Sequence, residues 1–178
     1  MAKSNWIISG SGGQAVIDVD GSKRCQLSGI KQMLWNGRDD LVNSEVIVTL
    51  KPDISQNGYQ KGGVLLRCDS SILNYYRISA VCYPNYRTYY IYRVINGVST
   101  VLTTVISYQA YNIYVKTRIR IDDWQISIEE YIGGSWNLIT TVEDTDHSLT
   151  SGYAGLQGHS YNSSYSMLFD DVEILERV

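Results

Sequence analysis

YNIYVKTRIRIDDWQISIEEYIGGSWNLITTV, residues 111–142, decides the fold class. In its first part Ile113, Val115, Ile119 and Ile121 fall on one side of an extended chain and Lys116, Arg118 and Arg120 on the other. That is the period-two signature of a strand with one wet face. Asp122-Asp123 makes a turn, and alternation resumes through Trp124, Ile126 and Ile128. Gly133-Gly134 supplies the positive φ angles of a tight hairpin turn before SWNLITTV. Pairing outward from that turn sets Ile128 opposite Ile139 and Ile126 opposite Thr141 on the inner face, with Tyr131 opposite Trp136 on the outer one.

The same logic applies upstream. Asn96-Gly97 joins YRTYYIYRVI to VSTVLTTVI and places Ile91 opposite Leu102 and Tyr89 opposite Thr104. EVIVTL (45–50), GVLLRC (63–68), YYRISAVC (75–82) and SMLFDDVEIL (166–175) fit further strands, and no segment sustains apolar residues at helical spacing. Ten or more short strands in a chain of 178 residues imply two packed antiparallel sheets. The chain reads as one all-β domain over residues 1–178, with the Gly/Ser patch at 9–13 a turn after the first strand.

Composition narrows the function. A chain of 178 residues buries roughly 70% of its unfolded surface, so neither metal nor disulfide is needed to hold it together. Fifteen Tyr and four Trp stand against one Phe, so nearly every ring carries a polar handle and can sit half in water. Net charge is −3 with no basic block, which excludes the phosphate-neutralising surface that nucleic acid requires. No apolar run is long enough for a signal peptide or a membrane span. Cys25, Cys68 and Cys82 are odd in number and lie at unrelated spacings, so they read as reduced, buried residues.

The order from residue 113 to 174 carries a resemblance: an alternating strand, a hairpin with a glycine turn, an Asp-rich loop, the SGYAGL segment and the final FDDVEI strand. It resembles the concanavalin A-like lectin/glucanase superfamily, in particular its laminin-G-like and glucan-hydrolase-like branches, over most of residues 40–178. The resemblance implies a jelly-roll sandwich with one concave sheet that holds a glycan on its face or rim, or that only mediates protein contacts. Its enzymes carry paired acids in an ExDxxE pattern, which this sequence lacks, so hydrolysis is not expected.

Candidate chemistry is sparse. Glycoside hydrolysis needs two carboxyl groups about 5–10 Å apart. Glu129 and Glu130 are adjacent on a strand and point to opposite faces, Glu129 to the polar side and Glu130 beside the turn where it reaches water. Asp170-Asp171 offers an inward carboxylate or one ligand of a calcium site such as some relatives carry, but no calcium-loop spacing is present and no cofactor is expected. Asp122-Asp123 and the Asp144, Asp146 pair read as turn residues. His147 and His159 read as loop residues, and Gly10, Gly12 and Gly13 lack the following helix of a phosphate cradle.

The aromatic run YPNYRTYYIYRV, residues 83–94, is the strongest binding candidate. On a regular strand Arg87, Tyr89, Ile91, Arg93 and Ile95 share one face, and Tyr86, Thr88, Tyr90, Tyr92 and Val94 the other. Ile91 and Leu102 belong together in the core, which makes the first set the inner one; the resemblance implies that this face is concave, and on that pattern Tyr89 and Arg93, with Arg87, flank the groove. A ring on a sugar's CH-rich face with a guanidinium nearby for its hydroxyls suits a glycan, whereas Tyr is also a good strand former, so the two uses stand as alternatives. Tyr131 and Trp136 form a second aromatic pair suited to an interface. The expectation is a non-enzymatic adhesion module whose partner is a glycan or a capsid or tail protein, oligomerisation being left open. Lectin-like action outside cells without an export signal points to a component of a virus particle, made in the cytoplasm and carried on the virion, with capsid decoration and a divergent polysaccharide hydrolase as alternatives.

Overall fold

The computed structural model describes residues 6–9, 14–19, 22–28, 31–35, 37–52, 60–83, 85–108, 113–159 and 166–177. Among them are fourteen strands and no helix. The strands are β1 (Trp6–Ser9), β2 (Gln14–Val19), β3 (Ser22–Ser28), β4 (Lys31–Trp35), β5 (Ser44–Pro52), β6 (Gln60–Cys68) and β7 (Tyr75–Tyr83) in the first half. The second half holds β8 (Tyr86–Ile95), β9 (Val98–Ser107), β10 (Val115–Asp122), β11 (Gln125–Ile132), β12 (Ser135–Glu143), β13 (Tyr153–His159) and β14 (Ser166–Glu176).

They form two seven-stranded antiparallel sheets, ordered β1-β4-β13-β6-β7-β8-β9 and β12-β11-β10-β5-β14-β3-β2. The chain is an all-β sandwich of two antiparallel sheets, as its alternation predicts, with the jelly-roll form that the resemblance implies. Between the sheets, Met33, Leu156, Val64, Ile78 and Ile91 line up strand by strand across the first sheet. Ile128, Ile119, Val46 and Ile174 do so across the second. All but the half-buried Ile174 are at most 5% exposed, and together they make the main core. The burial of successive residues in β10 alternates without exception, which is why its sequence betrays it so clearly.

Both hairpin turns stand where Asn96-Gly97 and Gly133-Gly134 predict, each with two positive φ angles. Tyr131 faces Trp136 as expected. The pairing further from each turn is corrected by one residue. Ile128 faces Thr140 and Ile126 faces Val142, because the register shifts between Ile128 and Glu129. Ile91 faces Thr103 and Tyr89 faces Val105, because a second shift falls between Ile91 and Tyr92. Each shift is a β-bulge, an extra residue in the return strand that turn residues cannot announce.

Other expectations change locally. Ile113 lies before β10 and is 43% exposed, and Trp124 sits in the β10–β11 turn instead of opening β11. His159 is the last residue of β13, paired with Lys61, not a loop residue. Cys68 and Cys82 are free and buried, and burial lifts the Cys68 thiol to about 12. The Cys25 side chain and the glycines at 10–13 lie outside what the structure describes.

Candidate functional site

The tyrosine strand β8 divides its residues between two faces as its alternation predicts, but the inner face is closed. Arg87 and Tyr89 are 0% exposed, lodged between the sheets rather than flanking a groove. The Tyr89 hydroxyl donates to Glu130 Oε1 at 2.6 Å, and the Ser107 hydroxyl donates to Glu130 Oε2 at 2.6 Å. Arg87 Nη2 donates to the Ile113 carbonyl at 2.7 Å. Glu130 is therefore corrected from a turn-side, watered carboxylate to one that is 0% exposed. A buried charge needs such donors, and Tyr89 and Ser107 provide them from the opposite sheet.

Arg93, at the far end of β8, pairs Nη1 with Asp144 Oδ1 at 2.6 Å and also bonds Asp146. Asp144 is 1% exposed and accepts the Tyr76 hydroxyl at 2.6 Å, so it is an internal clamp on the β12–β13 loop rather than a plain turn residue. Arg67 completes this cluster. It has φ of 47° at an irregular step in the β6–β13 pairing, and its guanidinium donates to the carbonyls of Val42, Leu149 and Asp123. Trp124 stacks on His147 with centroids 4.5 Å apart and lies 4.9 Å from the Arg67 guanidinium carbon. Three loop carbonyls converge here on a guanidinium. Among the described residues, no group of three His, Cys, Asp or Glu side chains is placed to share a metal ion. Asp171, the other acidic candidate, has φ of 48° at a bulge and accepts the Thr49 hydroxyl at 3.4 Å.

The open surface of β8 is its other face. Tyr86, Tyr90 and Tyr92 point away from the core and are half-buried. The Tyr90 and Tyr92 rings stack with centroids 6.0 Å apart and planes 19° apart. Tyr83 and Tyr86 stack at 4.5 Å where β7 meets β8. The guanidinium of Arg77 lies 4.1 Å above the Tyr92 ring, and register places Ser79 beside Tyr90. Across the neighbouring strands the row containing Ser79 continues through Gly63 to Gln157 and Gln32. Gly63 admits no side chain, since a Cβ there would lie 1.9 Å from the Ile78 carbonyl oxygen. Beside this row Leu34, Leu65, Cys68, Tyr75 and Val94 form a second apolar cluster, against which Tyr92 and Tyr153 pack. The result is a polar-tipped aromatic face on an apolar bed. The strands of this sheet contain no Asp or Glu; every strand carboxylate lies in the other sheet.

The Tyr131 and Trp136 pair lies on the outer face of the second sheet, edge to face at 5.3 Å, with Arg118 4.3 Å above Trp136. Arg118 also grips Glu129 through Nε and Nη2 at 2.7 and 2.8 Å, and Arg120 adds a contact at 3.1 Å. The Arg118 hydrogen bond, then its charge and that of Arg120, hold the Glu129 carboxyl below its ordinary 4.5. A lowered folded-state value stabilises the fold above pH 4.5 and ceases to do so as pH falls through it. Melts from pH 7 to 3 should therefore be steeper below 4.5 for the native chain than for Glu129→Gln, by about 0.5–1 kcal/mol. Identical slopes would remove this role.

Nothing in the sequence marks Tyr90, Tyr92 and Arg77 as a site, although the parity that buries Ile91 turns both rings outward. No family model matches the chain, and no curated protein matches it. Solved structures do. The carbohydrate-binding module CBM66 from Bacillus subtilis superposes with a TM-score of 0.68 at 17% identity, covering 97% of this chain and 96% of that one. Lectin II from Ulex europaeus gives 0.67 at 13% identity, covering 98% and 94%. The GH43 protein BlXynB from Bacillus licheniformis gives 0.70 at 14% identity, covering 99% of this chain but 38% of that one. The likeness shows the fold, an all-β sandwich of the kind these structures share, and it is the fold that the order of sequence motifs implied.

Proposed function

We propose that this chain is a non-catalytic module that binds a glycan on the outer face of the first sheet, against Tyr90, Tyr92 and Arg77. The stacked, half-buried rings with a guanidinium beside them carry the reading: the ring faces take apolar CH surface and the polar tips take hydroxyls. Structural neighbours named as a carbohydrate-binding module and a lectin support it. Hydrolysis would need two carboxyl groups about 5–10 Å apart, and the strands of this sheet supply none. Glu129 and Glu130 face opposite sides, and Glu130 is sealed in.

A glycan array probed with the purified chain should give hits that Tyr90→Ala and Tyr92→Leu weaken about tenfold or more, with unchanged circular dichroism. Tyr131→Ala and Trp136→Ala should leave those hits intact. An array without hits sinks the reading, and reducing ends released from a polysaccharide panel would overturn its non-catalytic part.

One observation favours a second reading, attachment through protein contacts alone, as on a virus capsid. The end strand β9 has no charged residue and exposes Val98, Val101 and Ile106 at 70, 53 and 47%, and Leu138 on β12 is 64% exposed. Among the described residues no strand pairs with the outer edge of β9, and an uncharged edge of this kind suits another protein. Co-sedimentation with assembled capsid shells, lost in Val101→Lys and joined to a silent array, would put this reading in place of the first.

A further inference from the structure

We infer that the ligand of this face is an acidic glycan whose anionic group, carboxylate or sulfate, is held by Arg77. The inference rests on the glycan reading and specifies its chemistry. Its ground is a comparison among the arginines. Arg38, Arg93, Arg118, Arg120 and Arg177 each meet a carboxylate, while Arg67 and Arg87 donate to backbone carbonyls. Arg77 alone, among the arginines whose side chains are described, donates to no acceptor among the described residues; its Nε is buried without a partner, as are Nε and Nη1 of Arg87. The buried Nε is out of reach from outside, but the two terminal nitrogens are not among the buried unpartnered atoms and stay open to an oxyanion.

Its surroundings make an anion the fitting answer. With no Asp or Glu in any strand of the sheet, no protein carboxylate on these strands competes for it, although the chain as a whole carries −3. The Tyr92 ring 4.1 Å beneath fixes the guanidinium plane, so little freedom is lost when an oxyanion docks on it. Tyr90, one stacked ring away, is placed to take the CH face of the same or the next sugar.

The test is affinity electrophoresis of the purified chain in gels containing polygalacturonate, alginate, dextran sulfate or plain dextran, followed by titration with oligosaccharides of whichever retards it. A chain of net charge −3 is not drawn to polyanions in general, so retardation is informative. One acidic gel should retard it and plain dextran should not, the carboxylate and sulfate arms telling which group binds. Arg77→Gln should raise Kd about tenfold or more with an unchanged melting temperature, and Arg77→Lys should recover part of the loss by restoring charge without the planar fork. Equal retardation by the neutral gel, or an acidic ligand held unchanged by Arg77→Gln, overturns the inference and leaves the glycan reading standing. Silence in every gel and on the array removes both.

Discussion

Replacing Arg67 by methionine is expected to destabilise the fold by about 3–5 kcal/mol, lowering Tm by roughly 10 °C for a chain of this size. The side chain is 2% exposed and donates to three carbonyls from three separate segments, those of Val42, Asp123 and Leu149. Charged donors to buried acceptors are worth about 1.5–3 kcal/mol each, and the loss is reduced where water can reach the exposed Val42 and Asp123. Methionine keeps most of the buried volume, so the loss reports the hydrogen bonds rather than a cavity. Arg67→Lys should lose nearly as much, because one ammonium cannot span three diverging carbonyls. Arg67→Gly relaxes the positive φ but lacks the donors and empties the buried volume, so it should be less stable than the methionine variant. Thermal melts of the three variants check this; any one within about 1 kcal/mol of the native chain would show that the loops are held by something else.

What the sequence revealed and what it concealed divide along one physical line. Alternation is local: β10 shows it in every residue, and a glycine pair marks the turn after β11, so strands, hairpins and the two-sheet architecture were legible. Register beyond the first few pairs was not, since the bulges after Ile128 and before Tyr92 leave turn chemistry untouched. Parity put Tyr89 and Arg87 on the inner face correctly, but whether an inner face is a groove or a sealed core depends on a sheet contributed by distant segments. For β8 the sealing groups are Glu130 and Thr117, more than twenty residues away in sequence. The buried charges escaped notice for the same reason. Glu130, Asp144 and Arg67 look solvated until their partners arrive from other strands. The outward rings Tyr90 and Tyr92 needed no such information, because a residue opposite in parity to a core isoleucine must face away.

Tyr89 separates the two accounts of the tyrosine strand most sharply. If it contacted a ligand, Tyr89→Phe would weaken binding and spare stability; the structure requires the reverse. Removing the hydroxyl leaves the Glu130 carboxylate with one side-chain donor fewer in a site closed to water, which should cost about 1–3 kcal/mol. Glycan affinity of the folded fraction should be unchanged. Tyr89→Ala adds the loss of a fully buried ring, about 3–5 kcal/mol more, and should leave the chain largely unfolded at 37 °C. The pH profile gives an independent check. Burial, then the Glu130 charge, pushes the Tyr89 hydroxyl well above its ordinary 10, so the folded state keeps a proton that the unfolded state releases. That contribution is complete below pH 10 and fades as pH rises past it, with Tyr76 adding to the same slope. Tyr89→Phe should therefore unfold less steeply with alkali than the native chain, despite being less stable at pH 7. A Tyr89→Phe variant with native stability and native alkaline slope, but weakened glycan binding, would return this ring to the surface.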